Sequence, residues 1–183
     1  MNAVSAFPPQ ADDDRWDVAV HAAQLWRASV IDALARSEAV VSETLLVLAA
    51  APQRGGSVKL HQLLGQRLDE LEKALKPSGA FSAEGKAALP KLIAFRQFEE
   101  LRAALCHGVA TVTLDRKGHW FVLIKLLSLG QHGAQRANIA FDQHEAAKLL
   151  AEIQSCGQQL ASLLGSVRAA VKKSPQQTTK TTP

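Results

Sequence analysis

Between Arg15 and Ala51 the chain has neither glycine nor proline, and Asp17, His21, Gln24, Arg27, Asp32, Arg36 and Glu43 recur near helical spacing. This pattern predicts one long amphipathic helix whose apolar stripe faces a core. Asp14 or a neighbouring aspartate can cap it, and Pro52 with Gly55-Gly56 ends it. Ser57 is the expected cap of a second helix with the stripe Leu60, Leu64, Leu68, Leu71 and Leu75, its outer face supported by the pairs Asp69–Lys73 and Glu72–Lys76. Pro77 and Gly79 stop it. A third helix has a lead-in from Ser82 and a body from Pro90, with Phe95, Phe98, Leu101 and Leu105 on its buried side and Gly108 at its end.

The period then changes. Ala110 to Leu114 and His119 to Lys125 are rich in β-branched and aromatic residues, and Asp115-Arg116-Lys117-Gly118 has the Asp and Gly placement of a hairpin turn. Ala137 to Phe141, after a loop from Gly130 to Gly133, is a candidate third strand. Asp142-Gln143-His144-Glu145 reads as a capping box for the last helix, whose apolar positions Ala146, Leu150, Ile153, Gly157, Leu160, Leu164, Val167 and Val171 alternate four and three apart. The expected fold is mainly α: a four-to-five-helix bundle with a small β-hairpin or three-stranded β appendage before the last helix. Residues 15–172 form a single domain in this reading, with the β insertion at about 109–141. Segments 1–14 and 173–183 are expected to be disordered.

Composition narrows the class. An apolar fraction of 47% with 21% charge over 183 residues is that of a globular protein. The first residues lack the basic and apolar regions of a signal peptide, and the apolar clusters are far shorter than the ~20 residues that cross a bilayer, so no membrane association is expected. Cys106 and Cys156 are too few for a disulfide framework and fit two reduced thiols in a cytoplasm. The net charge of +4 draws three charges from Lys172, Lys173 and Lys180, which leaves the middle of the chain modestly basic and compatible with RNA.

One segment carries chemistry. Arg102-Ala103-Ala104-Leu105-Cys106-His107-Gly108 places an arginine and a histidine five positions apart at the end of a core helix, rotated by about 140° and displaced by roughly 7.5 Å along its axis. RNA supplies its own nucleophile, the ribose 2′-hydroxyl. Cleavage then needs a proton acceptor or donor near neutral pH and a cation for the phosphorus oxygens, roles that imidazole and guanidinium fill. The segment resembles the Arg-x4-His signature of the HEPN superfamily, small helical domains that often act as endoribonucleases in toxin and defence systems. The resemblance implies a metal-independent enzyme without a cofactor. His107 would be its general acid or base and Arg102 its phosphate stabiliser, at a groove formed between two protomers. It also implies a homodimer, RNA as substrate and a cognate antitoxin protein as a candidate partner.

The likeness has departures. Ala103 stands where the family often has a polar residue, commonly asparagine. Val109 stands where one toxin group has a tyrosine that a partner nucleotidyltransferase modifies, and the chain contains no tyrosine. Some members lack activity, so the alternative is a non-catalytic homodimeric helical interaction module of the same fold; a third reading is a helical adaptor unrelated to the family. The plain role for Arg102 is a surface pair with Glu99, worth a few tenths of a kcal/mol, and for His107 a favourable place at a helix C-terminus. Arg116, Lys117 and His119 at the hairpin tip are either solvated turn residues or an extension of a basic path for RNA. His119, His132 and His144 with Asp142 match no metal-site spacing and read as surface residues. Trp16 and Trp26 read as core or interface anchors, with Trp120 bracing the hairpin.

Overall fold

Helix α1 spans Ala11–Ala49 and is followed by a 3-10 turn at Gly55–Ser57, α2 (Leu64–Leu75), α3 (Ser82–Gly85), α4 (Leu89–Arg96) and α5 (Glu99–His107). Strands β1 (Val109–Leu114), β2 (Trp120–Gly130) and β3 (Gly133–Asp142) precede the last helix, α6 (Gln143–Lys173). This is the expected mainly α fold with a three-stranded β appendage. The computed structural model describes residues 11–130 and 133–173. The segments expected to be disordered thus lie mostly outside the described residues, as does His132. Helix α1 nevertheless begins at Ala11, ahead of the expected Arg15, and α6 runs on to Lys173.

Contacts group the chain into two compact units, the residues up to Ile31 with Ala103–Leu150, and Asp32–Arg102 with the residues from Ala151 onward. In the first unit the sheet has the order β1-β2-β3 and is antiparallel throughout. Alternation along β2 buries Trp120, Val122 and Ile124 and leaves Phe121 and Lys125 outward. The inward face packs on Trp26, whose ring centroid lies 5.9 Å from Trp120 and 5.4 Å from Phe141. The buried indole N–H donates to the Ala146 carbonyl at 2.7 Å, so burial leaves no polar atom of Trp26 unpaired. The hairpin turn forms where Asp115 and Gly118 predict it. The Asp115 carboxylate accepts from the Lys117 and His119 backbone N–H groups at 2.8 Å each, and Gly118 takes the positive φ of +89° that closes the turn.

In the second unit the predicted α6 seam is realised: Ile153, Gly157, Leu160, Leu164, Val167 and Val171 are buried. The Arg168 guanidinium donates to the Thr44 hydroxyl at 3.0 Å and the Val40 carbonyl at 3.3 Å of α1. Three expectations give way here. Ser57 does not cap α2, because Glu70, itself buried, draws the Lys59 backbone N–H to its carboxylate at 3.2 Å; the helix starts only at Leu64 and Leu60 is exposed.

The third helix is broken into α4 and α5. At Gln97 and Phe98 the backbone bonds tighten to the Ala94 and Phe95 carbonyls, a 3-10 step that sets Phe95 and Phe98 on one buried side in an edge-on ring contact. Asp69 and Glu72 do not support their own helix. Both carboxylates bind Arg96 at 2.6 Å, and Glu99 joins them at 2.9 Å.

Two glycines separate packing from propensity. A Cβ on Gly85 would lie 2.6–2.7 Å from the fully buried Leu75 side chain, whereas one on Gly165 in α6 has only the Arg168 guanidinium near, at 4.0 Å. Chemical denaturation is expected to show Gly85→Ala destabilised by about 1–3 kcal/mol and Gly165→Ala stabilised by about 0.5–1 kcal/mol.

Candidate functional site

The motif segment ends α5, and the way that helix ends decides what the motif can present. The last carbonyls of a helix have no partner within it. Here Arg27 of α1 supplies one, its Nε donating to the Leu105 carbonyl at 2.7 Å and its Nη2 to the Gly108 carbonyl at 2.9 Å. A cation at this terminus also opposes the helix dipole. Gly108 follows at a position where backbone freedom is not the reason for glycine, because its φ is not positive. A Cβ there would meet the Ala104 carbonyl oxygen at 2.5 Å and the Ile124 side chain at 2.6 Å. Close approach of the helix end to β2 requires the missing side chain, and the helix ends at Gly108 as expected.

His107 lies on this anchored end, exposed, with no hydrogen-bond or ionic partner for its imidazole among the described residues. Gly108 and Val109, the next two residues, line a cleft of about 580 Å³ together with Trp16, Gln24 and Arg27 of α1 and Thr111 of β1. His107 itself does not line that cleft; an exposed imidazole is the group type that exchanges a proton with a bound ligand.

Arg102 belongs to the second unit. Its expected partner, Glu99, is taken by Arg96. Arg102 is instead held by Glu38 of α1, with Nε to Oε1 at 3.0 Å and Nη2 to Oε2 at 3.4 Å. Glu38 is mostly buried and Arg102 about one-third exposed. This side-on pairing fixes the plane of the guanidinium and uses Nε and Nη2, while Nη1 has no partner among the described residues. Glu38 was not a candidate on sequence grounds. The only signal for it is a carboxylate on the Gly-free helix.

The three basic candidates of the hairpin are gathered in one turn. Arg116, Lys117 and His119 are all exposed. The side chains of Arg116 and Lys117 have no partner among the described residues, whereas the His119 Nδ1 lies 3.0 Å from the Asp115 carboxylate. The backbone N–H of His119, assisted by its imidazole and by the Lys117 N–H, holds the Asp115 carboxyl below its ordinary value. The Glu145 and His144 backbone N–H groups do the same for Asp142, and Glu145 returns a bond to the Asp142 N–H at 3.0 Å, completing the predicted capping box. A depressed carboxylate pKa means that these turn and cap bonds contribute at neutral pH and are lost as the pH falls through the folded-state value. Asp115, His119, Phe121, Asp142 and His144 line a second cleft of about 440 Å³. Among the described residues no three His, Cys, Asp or Glu side chains are placed to hold a metal ion. Cys106 and Cys156 are free thiols, and burial raises the Cys156 pKa.

Fold and site together define a mainly α protein with an antiparallel β appendage and an Arg-x4-His helix end. Among the described residues no helix is long and apolar enough to cross a membrane. Comparison with protein-family models, with curated proteins and with solved structures finds no match to this chain.

Arg27→Met keeps the aliphatic stem and removes the donors. It is expected to lower stability in urea by about 1.5–3 kcal/mol through the unpaired Leu105 and Gly108 carbonyls, and Arg27→Lys is expected to recover part of the loss.

Proposed function

We propose that this chain is a HEPN-like, metal-independent endoribonuclease of the toxin or defence type, acting on RNA as a homodimer in the cytoplasm. The observation that carries the proposal is His107: an exposed imidazole without a partner among the described residues, on the fixed end of α5, five residues after an arginine whose orientation is set by Glu38. In the reaction a 2′-hydroxyl attacks the adjacent phosphorus. A P–O bond to the 2′ oxygen forms and the bond to the 5′ oxygen breaks, giving a 2′,3′-cyclic phosphate and a 5′-hydroxyl. One imidazole takes the 2′ proton and an imidazolium returns a proton to the leaving oxygen, roles that His107 and His107 of the partner subunit can divide. The Nη1 edge of Arg102 stabilises charge on the non-bridging oxygens. Arg116 and Lys117 extend the path for the RNA backbone, and a cognate antitoxin is the protein expected to silence the dimer.

One observation favours a second reading, a non-catalytic homodimeric interaction module of the same fold: Glu38 already occupies two of the Arg102 donor positions, and Ala103 offers no polar side chain beside them.

Single-stranded RNA incubated with the purified protein in excess chelator separates the two. Wild type is expected to generate cyclic-phosphate ends, with His107→Ala and Arg102→Ala each slowed by about 10²-fold or more. An RNA with 2′-deoxy sugars throughout should survive intact. Equal absence of cleavage in wild type and both variants removes the enzyme and leaves the interaction module.

A further inference from the structure

The sheet of the first unit buries one face and leaves the other open. Register places Thr113, Phe121 and Asp142 side by side across the three strands at one end of the open face. Thr111, Leu123 and Ala140 come next, then Val109, Lys125 and Asn138, then Leu127 beside Arg136. On this face Phe121 is 42% exposed and Leu127 58%, and Thr111, Thr113, Lys125, Arg136 and Asn138 are exposed as well. A solvated aromatic ring between a hydroxyl and a carboxylate, on a face that carries an amide and cations further along, is unlike the inner face, where Trp120, Val122 and Ile124 are buried.

The charges on the open face point to one occupant. Lys125 and Arg136 lie on one side of Phe121, and Arg116 and Lys117 project from the hairpin turn on its other side. All four side chains are exposed, and none has an ion-pair partner among the described residues. Between them the ring of Phe121 borders the 440 Å³ cleft that holds the Asp115 and Asp142 carboxylates. A polyanion whose charges are spaced by flat heterocycles matches that sequence of cation, aromatic and cation. The carboxylates disfavour phosphate beside the ring, and Asp142 Oδ2, which takes no hydrogen bond among the described residues, offers an acceptor to the N–H edge of a base. An anionic lipid surface or an acidic peptide would leave the aromatic cleft without a function.

We infer that the open face of the β1-β2-β3 sheet binds single-stranded RNA, with a base stacked on Phe121 and phosphates further along the strand held by Lys125 and Arg136 on one side and by Arg116 and Lys117 on the other. The inference rests on RNA as the ligand proposed above and adds where, and in what form, that RNA is held. An unpaired strand is required, because a duplex keeps its base faces stacked on one another and presents none to the ring.

The test is fluorescence anisotropy of the full chain with a labelled, fully 2′-O-methylated single strand, which cannot be cleaved, and with the same strand in a duplex. Wild type is expected to prefer the single strand. Phe121→Ala and Phe121→Leu are each expected to weaken binding about tenfold, and Phe121→Trp to retain it. The double variant Lys125→Ala/Arg136→Ala should lower the slope of log K against log salt by about 1.4. Lys172→Ala/Lys173→Ala, which removes the same charge elsewhere, should leave the slope within a few tenths. Phe121 is exposed, so its variants are expected to keep the wild-type Tm and circular dichroism.

Wild-type binding that survives every substitution on the face overturns the inference while leaving RNA as the ligand. No binding by wild type overturns both. Loss of dimer mass on Phe121→Ala, with RNA affinity unchanged, overturns it as well and assigns the face to a second copy of the chain.

Discussion

The Arg27 guanidinium, clamped on the carbonyls of Leu105 and Gly108, is the contact on which the first unit depends. Helix α5 ends in a region that also buries Gly108, and unpaired carbonyls there would each cost a desolvation penalty. By taking both, Arg27 lets the chain leave the helix and enter β1 at once, with the backbone at Gly108 close enough to Ile124 of β2 to exclude any side chain. The consequence for function is indirect and strong. His107 lies between the clamped carbonyls of Leu105 and Gly108 and its side chain is exposed.

In the same unit, burial is confined to one face of the small sheet. Trp26 fills the inward side against Trp120 and Phe141, and its indole N–H is satisfied by the Ala146 carbonyl, so the apolar burial that supports the sheet is confined to one face. The other face is free to carry Phe121, Lys125, Asn138 and Arg136. In the second unit the ion pairs are concentrated on Arg96, which gathers three carboxylates. Burial works against its charged form, but the bonds from Glu72, Glu99 and Asp69 outweigh it and raise the pKa. That hub explains why Arg102 turns to Glu38: Glu99 is already engaged.

Long-period features were legible in the sequence. The long first helix, though it starts at Ala11 and not Arg15, the four-and-three seam of α6 and the capping box at Asp142 each depend on local spacing, and each is found. The hairpin turn was legible because Asp115 and Gly118 do local work. What sequence pattern missed depends on partners distant along the chain. Glu70 capturing the Lys59 N–H moves the start of α2, the Phe95–Phe98 contact accompanies a 3-10 break that periodicity reads through, and Glu38 meets Arg102 across 64 positions. Arg27 is the sharpest case. As one polar residue among several on α1 it looked like a solvated face, and its role appears only once the end of α5 is in place.

Residue-resolved NMR of the imidazole and backbone signals during titration with uncleavable single-stranded RNA tests most directly whether the end of α5 and the open sheet face meet the same ligand. Saturable shifts are predicted at His107, Phe121, Lys125 and Arg136 with one common affinity. An unmoved His107 imidazole at RNA saturation would contradict the proton-transfer role proposed for it.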